Sequence, residues 1–125
     1  MKPGEHRRPQ DIRERTFAFS VRIVRLCRYL DEKAGPGRTL GWQLLRAGTS
    51  VGANVEEAQA AQSRADFINK NFVALKEARE TLYWLRLLVA AGLLSESRIA
   101  ALQSEVDELM RVLGAIILSA KKTHR

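Results

Sequence analysis

A chain of 125 residues that is 46 % hydrophobic and carries one cysteine fits a single domain with its own core, which excludes a disordered chain and an internal disulfide. Its uncharged apolar runs, residues 87–94 and 112–120, are far shorter than the ~20 residues that span a bilayer, and residues 1–15 lack the apolar stretch of a secretory signal. The expectation is a cytoplasmic protein with no membrane contact, whose formal charge of +7 favours polyanionic partners.

After a basic tail at residues 1–10, the first helix is predicted over residues 11–33. Ile12, Thr16, Phe19, Ile23, Leu26 and Leu30 recur at spacings of four and three, one face of a helix. Gly35, Pro36 and Gly37 end it, since glycine permits a left-handed cap and proline blocks continuation. A second helix follows over 39–61, with Thr39 as its N-cap and Leu40, Leu44, Ala47, Val51, Val55 and Ala58 inward. A third runs over 64–91, capped by Ser63 with Asp66 at the third position and closed by Gly92. The fourth, over 96–121, starts at Ser95 between Leu94 and Ile99, a hydrophobic staple. Ile99, Leu102, Val106, Leu109, Leu113, Ile116 and Ala120 then repeat inward, and residues 122–125 are a polar tail. No segment alternates with period two. The fold class is therefore all-α: an antiparallel up-down-up-down four-helix bundle with short joints.

The second helix is the most informative segment. Gly41, Gly48 and Gly52 fall within ~40° of one another on a helical projection. Each costs roughly 1 kcal/mol against alanine, so another element has to approach closely there. Ser50, Asn54 and Glu57, spaced i, i+4, i+7, line a different face. With Glu77, Arg79 and Glu80 of the third helix they form a polar seam, between helices 2 and 3 or between subunits; the alternative leaves some of them facing solvent. Such a seam fixes register only if every member finds a partner.

The apolar surface exceeds what one bundle uses. Phe17, Val21 and Val24 lie beside the main stripe of helix 1, and residues 81–91, TLYWLRLLVAA, are apolar almost all round, with Trp84 ~160° from Leu82. Surplus faces of this size mark interaction sites. A homo-oligomer is expected, with Phe17, Val24, Gly48, Gly52, Tyr83 and Trp84 at its interface.

The blocks RTFAFSVRIVRL, QLLRAGTSVGANVEEA and DFINKNFVALKEARETLYWLRLL, in that order, resemble the four helix bundle proteins related to the protein encoded in the intervening sequence of some bacterial 23S rRNA genes. The resemblance covers residues 17–94 and extends through helix 4 with less specific sequence. Ser50, Gly52, Asn54, Glu57 and Ala58 are its most specific part. It implies a four-helix protomer and a ring-like homopentamer. A distantly similar protein accompanies diversity-generating retroelements and uses a basic pentameric barrel to engage a reverse transcriptase and nucleic acid. No biochemical activity is carried over from the family, and the basic extension at residues 2–8 is not one of its features.

Arg15, Arg22, Arg25 and Arg28 share one side of helix 1, within ~140°, and no acid interrupts residues 15–30. The tail adds Lys2, Arg7 and Arg8. Arginine's planar fork suits phosphate, and in a ring the stripe is repeated by every subunit, so modest contacts sum to salt-sensitive binding of RNA or DNA. The opposing reading pairs these arginines with Glu14, Asp31, Glu32 or acids on a neighbour. The alternative function is a protein-interaction scaffold whose apolar face recruits a partner polypeptide. Trp42 and Tyr83 either stack on bases or fill a core or interface. No catalytic residue, metal or cofactor is expected. Glu57, Glu77 and Glu80 lack the Glu-x-x-His pairs of a di-iron bundle, His6 and His124 lie in opposite tails, and Cys27 abuts the buried stripe as an inert thiol. The reading is a non-enzymatic homo-oligomer.

Overall fold

Four helices account for most of residues 11–122, the part of the chain that the computed structural model describes: α1 (Ile12–Asp31), α2 (Pro36–Gln59), α3 (Arg64–Ala90) and α4 (Glu96–Lys122). The described residues contain no strand, so the chain is all-α. The basic tail with Lys2, Arg7 and Arg8 lies outside the described residues, as do His6 and His124.

Each joint is set by local chemistry. Glu32 follows α1 directly, and Gly35 takes φ 88°, the left-handed conformation that glycine adopts without a Cβ clash. Helix α2 begins at Pro36, ahead of the expected Thr39 cap, because proline at the first helical position has its φ already helical and no N–H to orphan. Arg38 then donates from Nε and Nη2 to the Asp31 carbonyl at 3.1 and 2.8 Å, satisfying the end of α1 from the start of α2. Ser63 Oγ accepts from the Asp66 N–H at 3.0 Å and caps α3. At its far end Gly92 takes φ 79°, and the N–H groups of Leu93 and Leu94 both return to the Leu88 carbonyl. Ser95 Oγ accepts from the Arg98 N–H at 3.2 Å at the start of α4, with Leu94 and Ile99 buried on either side.

The glycines of α2 explain how α1 and α2 cross. Gly37 and Gly41 face Leu30, Gly48 faces Ile23, and Gly52 faces Thr16 and Ser20. Register falls along α1 as it rises along α2. A Cβ on Gly48 would lie 2.8 Å from Ile23 Cγ2, and one on Gly52 would lie 3.2 Å from the Thr16 carbonyl oxygen. Gly48 and Gly52, expected at a contact between copies, are thus spent on α1 of the same chain, where the Ile23 side chain leaves no room for a Cβ on Gly48 and Ser20 and the Thr16 backbone leave little for one on Gly52.

Phe19, Ile23, Leu44, Val51, Leu85 and Leu109 are among the side chains closed off from solvent in the shared core. Each such burial stabilises the fold by about 1.5–3 kcal/mol. Helix α3 packs against both α2 and α4, which widens the arc it can bury. Leu82, Trp84 and Val89 pack on the core, and of the residues 81–89 only Tyr83 and Arg86 are exposed. The surplus apolar face expected on α3 is therefore largely absorbed within the protomer. On α4 the inward series ends at Ile117, with Ile116 and Ala120 only half-buried, since a 3.6-residue helix drifts away from a strict seven-residue repeat.

Cys27 is buried on α1, its thiol 3.4 Å from the Gly41 carbonyl, and burial pushes its pKa from 9.0 to about 12. Above pH 9 the unfolded chain releases the thiol proton while the folded chain keeps it, so this group's contribution to stability falls as pH rises. The stability advantage of the wild type over Cys27→Ala is expected to shrink by roughly 1 kcal/mol per pH unit above about 9. Urea melts of both proteins at pH 8, 9 and 10.5 measure it; a constant gap would mean the thiol titrates as in the unfolded chain.

Candidate nucleic-acid interface

The four arginines of the predicted stripe on α1 divide into three environments. Arg15 is half-buried and donates from Nε and Nη2 to the two carboxylate oxygens of Glu105 on α4, at 3.2 and 2.8 Å. That hydrogen-bonded pair raises the pKa of the guanidinium further above its ordinary value. Arg15, expected to bind phosphate, is instead engaged in holding α1 to α4: Glu105 supplies both acceptors its fork can use.

Arg22 and Arg25 turn toward α4 and line a shallow cleft with Arg98, over a floor of Leu26 and Leu102. Arg98 belongs to the first turns of α4, and its guanidinium lies over the Tyr29 ring at 3.8 Å from the centroid, with Lys33 Nζ over the same ring at 4.7 Å. Stacking fixes Arg98 without consuming its charge. Among the described residues, none of Arg22, Arg25 and Arg98 forms an ion pair. The exposed Arg28 is unpaired in the same sense, but it faces the other way and lines a cleft between α1 and α2 with Asp31, Arg38 and Trp42.

Two of the seam residues, Glu77 and Glu80, meet a side chain that the spacing did not single out. Arg46 of α2 reaches both Glu77, at 3.4 Å, and Glu80 on α3. Glu80 also accepts from the indole N–H of Trp84 at 2.9 Å. Ser50 and Asn54 do not enter this network: Ser50 Oγ donates to the Arg46 carbonyl and Asn54 Nδ2 to the Ser50 carbonyl, both within α2. Glu57 and Arg79 are exposed and form no ion pair among the described residues. Trp84, assigned to a subunit interface, is half-buried on the core with its polar end satisfied. Among the described residues no three His, Cys, Asp or Glu side chains converge as a metal site.

Large apolar side chains remain outside along α1 and α2. Phe17 is 71 % exposed, Trp42 66 % and Val24 40 %. Phe17 borders a cleft with Ser20, Thr49, Gly52 and Ala53, while Val24 and Trp42 border the next one along the same pair of helices. No described helix is long and apolar enough to cross a membrane.

Spacing along α1 located Arg22 and Arg25, but Arg98 joins them only through the pairing of α1 with α4. The available signal was Tyr29, an aromatic next to a basic helix end that needs a covering partner.

No curated protein matches the chain. A solved structure, that of a protein of unknown function from the S23 ribosomal protein family of Bacteroides thetaiotaomicron, is 40 % identical and superposes with a TM-score of 0.80, covering 86 % of this chain and 98 % of that one. The profile of the 23S rRNA-intervening sequence proteins matches residues 8–115. With that match and a four-helix relative at 40 % identity, the chain belongs to the 23S rRNA-intervening sequence protein family.

Proposed function

We propose that this is a non-enzymatic, self-associating helical protein that holds RNA or DNA by its phosphates in the cleft between α1 and α4. The observation that carries the reading is the convergence of Arg22, Arg25 and Arg98 from two helices on one cleft, with no ion pair to any of them among the described residues. Unpaired like charges repel one another, and a cleft lined by them concentrates anions that relieve the repulsion. Arginine binds phosphate with two parallel hydrogen bonds, and Leu26 and Leu102 beneath lower the local dielectric. Contacts of this kind reach the backbone and read no bases, so sequence preference is weak.

In this reading the protomer is an antiparallel up-down-up-down bundle in the cytoplasm. Copies join through the α1–α2 face that exposes Phe17, Val24 and Trp42, closing a ring-like homopentamer. Arg28, on the rim of that face, is then repeated by each subunit together with the arginine cleft. A fluorescence-anisotropy titration of a labelled RNA at rising salt tests the binding. The complex forms at low salt and weakens steeply as salt is added; absence of binding at low salt refutes it and leaves a scaffold for a partner polypeptide.

A further inference from the structure

Helix α3 carries a second cationic surface, remote from the arginine cleft. Phe72, Lys76, Arg79, Tyr83 and Arg86 are spaced four, three, four and three apart, so they form one line along the helix. All five are exposed, Phe72 by 48 % and Tyr83 by 55 %, and the line is ~21 Å long at 1.5 Å per residue. It points away from the core, since Asn71, Ala74, Ala78, Thr81, Leu85 and Leu88 bury the opposite side. Helix α3 packs on α2 and α4.

Three features define what fits there. No acid lies on the line, and the two acids beside it, Glu77 and Glu80, are both held by Arg46. Lys76, Arg79 and Arg86 form no ion pair among the described residues, so the surface lacks only negative charge. The rings are set apart by cations, with Lys76 and Arg79 between Phe72 and Tyr83 and Arg86 beyond them, and Tyr83 is braced: Trp84 meets it edge-on at 5.1 Å between centroids, and the Trp84 indole N–H is held by Glu80. A braced ring stacks with little entropy left to lose.

We propose that this face of α3 is a track for single-stranded nucleic acid, with Phe72 and Tyr83 stacking on unpaired bases and Lys76, Arg79 and Arg86 holding the phosphates between them. Rings separated by cations suit a strand whose unpaired bases are joined by phosphates. A duplex keeps its bases inside and leaves the two rings without partners. The track is independent of the α1–α4 cleft, and the two can be separated by experiment.

The test uses the full chain with three probes of equal length: a labelled oligouridine, the same strand without bases, and a duplex. Oligouridine is expected to bind about tenfold more tightly than the abasic strand. Phe72→Ala and Tyr83→Ala each reduce that preference, and together they remove it and leave abasic binding unchanged, whereas Tyr83→Phe retains it. Replacing Lys76, Arg79 and Arg86 by glutamine weakens both strands equally. In a Trp42→Phe chain the remaining indole, Trp84, is expected to be quenched by oligouridine and not by the abasic strand. Equal affinity of the wild type for strands with and without bases overturns the track while leaving the arginine cleft intact. Variants of Phe72 and Tyr83 that change the particle mass and not strand affinity also overturn it, by assigning the line to a contact between copies.

Discussion

Gly48→Leu is expected to cost the folded chain about 3 kcal/mol or more, a large part of the 5–15 kcal/mol that holds a domain together. Even the first added atom has no room: a Cβ at this position would sit 2.8 and 2.9 Å from Ile23 Cγ2 and Cγ1. Ile23 has no solvent exposure and, being β-branched in a helix, has one strongly preferred χ1 rotamer, so it cannot swing aside. The clash therefore separates α1 from α2. Gly48→Ala feels the same contact, and overpacking of about 1–3 kcal/mol outweighs the ~1 kcal/mol that alanine gains in helix propensity. Gly114 supplies the control, because nothing lies within 4 Å of a Cβ built there. Gly114→Ala is expected to stabilise by up to ~1 kcal/mol. Thermal and urea melts read both signs, and an Ile23→Ala/Gly48→Ala pair shows whether the two positions are coupled. Equal tolerance at positions 48 and 114 would mean that the crossing is looser than its contacts require.

Replacing Arg22, Arg25 and Arg98 together by glutamine is expected to lower affinity for an RNA strand about 100-fold at low salt. The salt dependence changes with it. Each phosphate neutralised contributes about 0.7 to the slope of log K against log salt on a single strand, so three lost contacts flatten the slope by about 2 per engaged chain. Arg15→Gln is the matched control: it removes a guanidinium from the same helix, but one already committed to Glu105. Its expected effect is about 1 kcal/mol of stability with no change in slope. Anisotropy titrations between about 50 and about 300 mM salt compare the wild type, the triple variant and Arg15→Gln; a triple variant with an unaltered slope would show that the phosphates lie elsewhere.

Local periodicity placed most of the buried residues of α1 and α2, because a spacing of three and four permits only one inward face. Capping was readable at Ser63, Ser95 and Gly92, and misplaced at the start of α2, where Pro36 opens the helix with no side-chain cap. The glycine face of α2 announced a close approach without naming the partner, since nothing in its spacing distinguishes α1 of the same chain from another copy. The candidate site was legible only along single helices. Arg22 and Arg25 follow from the register of α1, but Arg98, Glu105 and Arg46 acquire their roles from pairings between helices. Arg15 shows the consequence most clearly: on its own helix it is equivalent to Arg22, and one carboxylate 90 positions away reassigns it. The line on α3 was partly legible. Tyr83 was evident as a stacking candidate, while its neighbours Lys76 and Arg86 were obscured by Glu77 and Glu80 until Arg46 was seen to hold both.

In the proposed assembly, further copies cover Phe17 and Trp42, each more than half exposed in the protomer, and multiply the arginine clefts. Light scattering on the purified chain at micromolar concentration, with nucleic acid removed, decides the matter. A particle of five times the 14.1 kDa chain is the expected result. A monodisperse species of 14.1 kDa at every concentration would contradict it.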